Sequence, residues 1–165
     1  MLAAVILALA LPVHAEDTAV AIQRLLVNLK LGNWMGTVKT VYPPTRDWPS
    51  IMDPGGEVKR YTIERSYARG FPDDVETLRL GFYGRKLVRI QAIFDRDRTR
   101  KEPLEELVVT LSTTYGEPRR RGMTFIWRDG DTVLRAFNEE LPSPDGSGME
   151  MRVSMEIMDE WVYRP

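Results

Sequence analysis

One stretch of the chain, residues 103–127, combines a helix, a helix stop and the start of a strand. Its first half carries five apolar residues at helical spacing: Leu104, Leu107, Val108, Leu111 and Tyr115. Such a stripe predicts an amphipathic helix that lays one face on a core. Gly116 and Pro118 then end the helix, because glycine suits a helix C-terminus and proline cannot continue the ladder. Alternating apolar residues from Met123 onward predict that a strand follows.

Most other periodic segments alternate between apolar and polar residues, which is typical of strands with one buried face. Residues 78–82 and 88–94 are two such segments around a short turn, and together they predict a hairpin. Near the end of the chain, every second residue from Met149 to Ile157 is apolar, with charged residues or serine between them. This pattern predicts an antiparallel strand with one buried face and one face exposed to solvent, the wet face. Methionine can bind copper, but the methionines of this strand lie on its apolar face, which favours a role in core packing.

Two parts of the chain have the same order of predicted elements. Trp34 to Pro43 reads as a short helix ending in Tyr-Pro, and the second helix ends in Tyr-Gly-Glu-Pro. Three predicted strands follow each helix. We therefore predict an α+β fold, in which two helix-plus-three-strand repeats form an antiparallel sheet with the helices packed on one face. The repeats span about 25–95 and about 102–161 of one compact domain, 16–165; the alternative is two unrelated α+β segments with the same element order.

Two segments resemble motifs of small exported α/β modules. Residues 31–43 read LGNWMGTVKTVYP and resemble the helix entry LGMT–xx–V–xxx–YG–P of these modules. Residues 82–90 read FYGRKLVRI and resemble their hairpin FYNGKLxRI. Such modules are found in the SmpA/OmlA outer-membrane-assembly lipoproteins and in the tandem-repeat β-lactamase inhibitor proteins, and the resemblance implies their fold. The chain lacks the lipidated cysteine of the first family and the disulfides of the second, so no function is implied.

The first 15 residues, MLAAVILALALPVHA, form an apolar run that ends in the small residue Ala15. This pattern predicts a secretory signal peptide, 1–15, with a mature chain that begins at Glu16 and is periplasmic or secreted. The run is shorter than the about 20 apolar residues that span a bilayer, so we expect no transmembrane segment in the mature chain. The alternative is a buried N-terminal helix.

The predicted mature chain lacks two residue types, which limits the catalytic groups and metal ligands that it can supply. The only histidine is His14, within the predicted signal peptide, and there is no cysteine. We therefore expect no histidine- or cysteine-based nucleophile, no metal and no cofactor. The 23 basic and 24 acidic residues nearly balance, so nothing favours binding to nucleic acid. Four carboxylate pairs remain as possible acid/base groups: Asp73-Asp74, Asp95-Asp97, Glu105-Glu106 and Glu139-Glu140.

The predicted binding surface combines loop and tail tryptophans with the polar side of the sheet, where Glu156 also lies. Its six residues are Trp48, Arg79, Arg89, Gln91, Arg152 and Trp161. Tryptophan and arginine are enriched at the centres of protein interfaces. We therefore expect a non-catalytic, exported binding or assembly module of the cell envelope, whose partner is another envelope protein. The alternatives are a proteinaceous inhibitor of an envelope hydrolase and a carboxylate-dependent hydrolase.

Overall fold

The computed structural model describes residues 20–143 and 145–163; the predicted signal peptide and its alternative, a buried N-terminal helix, lie outside these residues. Within them the chain is mostly β, with 46% of residues in strands and 22% in helices. The predicted α+β fold of two helix-plus-three-strand repeats is therefore wrong. Its main sheet has eight strands, and four strands rather than three follow each of the two helices on which that prediction rested.

In chain order, the strands and α-helices are β1 Leu25–Leu26, β2 Leu29–Lys30, α1 Met35–Val41, β3 Ser50–Met52, β4 Val58–Glu64, β5 Val75–Tyr83, β6 Lys86–Phe94, α2 Arg96–Lys101, α3 Leu104–Tyr115, β7 Arg119–Arg121, β8 Thr124–Asp129, β9 Thr132–Pro142 and β10 Met149–Asp159. A 3-10 helix at Arg65–Tyr67 follows β4, and a C-terminal 3-10 helix at Glu160–Tyr163 follows β10. None of the helices in the described part of the chain has the length and apolar character needed to cross a membrane.

Strands β3 to β10 form one antiparallel sheet with the order β3-β4-β5-β6-β10-β9-β8-β7. Each half of this sheet is a meander in which strands adjacent in sequence pair with each other. The halves meet at a seam between β6 and β10, where residues 154–158 pair with residues 89–93. Strands β1 and β2 form a separate two-stranded hairpin.

One face of the sheet, which we call the helix face, packs against α1, α3 and the β1–β2 hairpin. A single buried cluster unites residues of all these elements, including Leu29, Val38, Leu80, Ile90, Leu107 and Leu111. The helix predicted within 103–127 is confirmed as α3, and Gly116 ends it with a φ of 78°. The hairpin predicted from residues 78–94 is confirmed as β5 and β6.

Three elements are too short for the sequence pattern to predict. They are β3, α2 and β7, with three, six and three residues. Elements this short show no hydrophobic period, and their positions depend on the neighbouring chain. In α2, for example, the Asp95 side chain accepts a hydrogen bond from the Arg98 amide at 2.8 Å and so caps a helix made almost entirely of charged residues.

The wet face predicted for β10 is also wrong. Arg152 and Glu156 alternate with the core residues of this strand, yet they are only 2% and 1% exposed. Met149 and Met151, predicted to face the core, are exposed instead. The reason is that β10 pairs with β6 only from residue 154 onward, so the start of the β9–β10 hairpin extends past the rest of the sheet.

The C-terminal 3-10 helix folds back over the face opposite the helices, which we call the polar face. Its Tyr163 approaches Gly81 of β5 so closely that no side chain fits there. A Cβ atom at Gly81 would lie 3.1 Å from Tyr163 Oη, 3.1 Å from Val58 Cγ1 and 3.0 Å from Arg89 Cβ. Packing, rather than backbone conformation, therefore requires glycine at this position.

Gly81→Ala should destabilise the protein by about 1–3 kcal/mol, because the added methyl group overpacks the contact between Tyr163 and the sheet. Urea unfolding measures the free energy of unfolding. The matched control is Gly36→Ala in α1, where a Cβ would meet nothing within 4 Å. There, alanine should stabilise the helix by up to about 1 kcal/mol. Equal effects of the two substitutions would contradict the packing argument.

Candidate functional site

Four polar side chains line up across the polar face at the centre of the sheet. Gln91 of β6 lies opposite Arg79 of β5 and opposite Glu156 of β10. Glu156 in turn lies opposite Arg135 of β9. Residues directly opposite each other on neighbouring strands project from the same face. These four residues therefore form one row across four strands, which we call the charged row.

Glu156 is the buried acidic centre of the charged row. Its Oε2 lies 2.6 Å from Arg89 Nε and 2.5 Å from Arg89 Nη2, and its Oε1 lies 3.4 Å from Arg135 Nη1. Burial lowers the pKa of Arg89, but the charge and hydrogen bond of Glu156, together with the charges of Tyr163 and Asp53, outweigh burial and raise that pKa above its ordinary value. A carboxylate this deeply buried is tolerated only when it is paired, so the two arginines allow Glu156 to occupy the middle of the sheet.

A cleft of about 320 Å³ opens over the charged row, and we call it the arginine cleft. The side chains that line it are Arg79, Arg89, Gln91, Thr124, Arg135, Phe137, Glu139 and Glu156. Glu139 joins the row from one side: it accepts hydrogen bonds from Arg79 Nη1 at 2.6 Å and from Gln91 Nε2 at 3.2 Å. Three of the predicted binding residues, Arg79, Arg89 and Gln91, are thus brought together here.

Two buried polar atoms at the arginine cleft have no hydrogen-bond partner among the described residues. They are Gln91 Oε1, an acceptor, and Arg135 Nε, a donor. The Gln91 amide is held in place from its other side, because its Nε2 also donates to Ser154 Oγ at 3.0 Å. Buried polar atoms are nearly always paired, so the two unpaired atoms indicate that the hydrogen-bonding capacity of the cleft is incompletely used within the protein.

Arg152, which was predicted for the binding surface, lies in a separate network beside the charged row. Its Nε is 2.9 Å from Glu76 Oε2, and its Nη1 is 2.6 Å from Glu150 Oε2. Burial lowers the pKa of Arg152, but hydrogen bonds and charge from these two carboxylates raise it above its ordinary value. The buried guanidinium therefore ties β10 to β5 and is not available to a partner in this conformation.

Trp48, which was predicted for the binding surface, is buried. It is 8% exposed and belongs to the core cluster on the helix face. Its Nε1 donates to the Tyr67 backbone oxygen at 3.1 Å, and its ring meets that of Tyr61 edge-on with centroids 6.4 Å apart. A tryptophan with its N–H bonded in this way fills apolar space without leaving a polar atom unpaired. Of the two predicted binding tryptophans, only Trp161 is therefore exposed.

A second exposed surface lies where β5 turns into β6. Trp34, Tyr83 and Trp161 are 56%, 40% and 50% exposed. The rings of Tyr83 and Trp161 meet edge-on with centroids 5.6 Å apart. Lys86 pairs with Tyr83 across the turn, forms a β-bridge with Trp34 and holds its Nζ 5.7 Å from the centroid of the Trp34 ring. We call these three aromatic residues, which come from three separate segments, the aromatic cluster.

Arg135, Trp34 and Tyr83 were not predicted as site residues, and Glu139 was named only as half of a possible acid/base pair. In β9 the apolar residues fall on both phases, since Leu134 faces the core while Phe137 shares the polar face with Arg135. The alternation therefore could not show on which face Arg135 lies. For Trp34 and Tyr83, the only signal was that large aromatic residues lie beside the Gly84-Arg85 turn or next to a helix start.

The chain matches no protein-family model, no curated protein and no solved structure. The resemblance to the exported α/β modules therefore stays a prediction. Within the described residues, no group of three or more histidine, cysteine, aspartate or glutamate side chains is arranged to hold a metal ion. Evidence about function comes from the arginine cleft and the aromatic cluster themselves.

Glu156→Gln should lower the free energy of unfolding by about 3 kcal/mol, because it leaves two guanidinium groups without their shared negative charge. The matched control is Glu140→Gln on β9, which removes an exposed carboxylate and should change stability by less than about 0.5 kcal/mol. Urea denaturation at neutral pH measures both. A loss at Glu156 no larger than that of the control would show that the charged row does not hold the sheet together.

Proposed function

We propose that the protein is a non-catalytic binding module of the cell envelope, and that it contacts another envelope protein through the aromatic cluster. The observation that carries this proposal is the exposure of three large aromatic side chains at one place on the surface. Rigid aromatic rings provide much contact area for little loss of conformational entropy, and tryptophan and tyrosine dominate the centres of protein interfaces. Lys86 lies among them and supplies a charge with which an acidic partner would be complementary.

Export to the envelope is supported by the sequence of residues 1–15, whose uncharged apolar run and small final residue are typical of a cleaved signal. A binding role, rather than catalysis, is supported by the state of the two carboxylates in the arginine cleft. Glu139 and Glu156 both accept hydrogen bonds from arginine side chains. A hydrolase that uses two carboxylates needs both to face the substrate, whereas these two are engaged in ion pairs within the sheet.

Trp161→Ala should weaken partner binding by about 30-fold, because truncation of a central interface tryptophan costs about 2 kcal/mol or more. A photo-crosslinking residue in place of Tyr83 should give a discrete adduct in envelope extracts, and Trp161→Ala should abolish it. The control places the same crosslinker at Val109 on α3, which is exposed on the opposite side of the sheet. The proposal is wrong if the Tyr83 position gives no discrete adduct, or if Val109 gives the same one.

If the chain is exported, the purified mature protein should begin at Glu16. Mass spectrometry of protein recovered from the envelope fraction measures the N-terminus directly. Ala15→Arg should block processing, since the site requires a small residue. Recovery of the unprocessed wild-type chain from the cytoplasm alone would contradict an envelope location without bearing on the aromatic cluster.

A further inference from the structure

The arginine cleft contains one more positive charge than negative charges. Three guanidinium groups face two carboxylates there: those of Arg79, Arg89 and Arg135 against those of Glu139 and Glu156. Arg79 and Arg89 each hold one carboxylate at 2.5–2.6 Å. Arg135 makes a longer ion pair and hydrogen bond, from its Nη1 to Glu156 Oε1 at 3.4 Å, on the oxygen that Arg89 leaves free. Arg135 is therefore the least tightly paired guanidinium group of the cleft.

The surroundings of the cleft do not cancel this charge. Asp53 lies 3.7 Å from Arg89 Nη1, but Arg60 lies 3.4 Å from the same carboxylate and balances it. Arg135 also has unused hydrogen-bonding capacity, since guanidinium carries five N–H donors and its Nε has no acceptor among the described residues. A buried donor without a partner is a cost that an incoming anion removes.

The other walls of the cleft limit what kind of anion fits. Phe137 and Thr124 line it beside Arg135, so a guanidinium and an apolar ring face the same space. Its volume of about 320 Å³ is at the lower end of the about 300–1,000 Å³ typical of small-molecule sites. A ligand with one charged end and one apolar end uses both walls, whereas an inorganic ion uses only the first.

We propose that the arginine cleft binds a small organic carboxylate with an apolar body. Arg135 donates hydrogen bonds to the carboxylate, and Phe137 packs against the apolar body. Arginine is suited to this role because its planar fork matches both oxygens of a carboxylate. Arg79 and Arg89 remain with Glu139 and Glu156, so the ligand leaves the two shortest ion pairs of the cleft intact. This site goes beyond the protein contact proposed for the aromatic cluster and is independent of it.

The test uses the whole mature chain and benzoate as the probe, with binding followed in amide ¹H–¹⁵N spectra. Benzoate should cause saturable shifts at Thr124, Arg135 and Phe137. Benzamide, which has the same shape without the charge, should cause none, and acetate should bind more weakly because it lacks the ring. Arg135→Gln should weaken benzoate binding by about 10- to 100-fold, the effect of losing charged hydrogen bonds.

The matched control is Arg128→Gln, which removes a guanidinium from the neighbouring strand β8 outside the cleft lining and should leave benzoate binding unchanged. Arg135→Lys keeps the charge but not the fork, and should bind benzoate with intermediate affinity. The spectra also report whether each variant is folded. Absence of saturable shifts in the wild type, equal shifts with benzamide, or unchanged binding by folded Arg135→Gln would each overturn the proposal. Trp161→Ala should bind benzoate normally, so the cleft and the aromatic cluster succeed or fail separately.

Discussion

The pairing of Glu156 with two arginines determines how the two halves of the sheet can meet. The seam between β6 and β10 consists of five residue pairs, and Glu156 is at its centre, opposite Gln91. A shift of one residue would turn Glu156 toward the helix face, where apolar side chains could not compensate its charge. A buried ion pair adds little net stability compared with an apolar pair of the same size. Its main effect in this sheet is to make the alternative registers costly.

The buried ion pair at the centre of the sheet is covered by a residue of the C-terminal 3-10 helix. Tyr163 covers Arg89 from the polar face and fits there because Gly81 has no side chain. The Tyr163 hydroxyl oxygen is buried, and burial raises the pKa of Tyr163 above its ordinary value. Exclusion of water strengthens the neighbouring ion pair. The turn of 3-10 helix that carries Tyr163 also places Trp161 against Tyr83, so the packing that shields the ion pair also positions part of the aromatic cluster.

The sequence predicts the long elements well and the short ones poorly, because periodicity needs several residues to become visible. The helix α3 and the β5–β6 hairpin carry strong patterns, whereas β3 and β7 have three residues each and exist only through pairing with longer neighbours. The same limit applies to the arginine cleft. Arg79, Arg89 and Gln91 could be assigned to the polar face from alternation within their own hairpin. Glu156 was also assigned to this face, but its pairing with Arg89 could not be predicted, since the register between β6 and β10 joins segments about 60 residues apart.

The edges of the sheet indicate what kind of contact the protein is built to make. An open edge can recruit a strand from another chain, unless it is short, charged or interrupted. At one edge, β7 consists of three exposed arginines. At the other edge, β3 has three residues and lies between Pro49 and Pro54, neither of which can donate a backbone hydrogen bond. Both edges therefore disfavour strand addition. The partner contact and the ligand site that we propose therefore depend on side chains, those of the aromatic cluster and the arginine cleft.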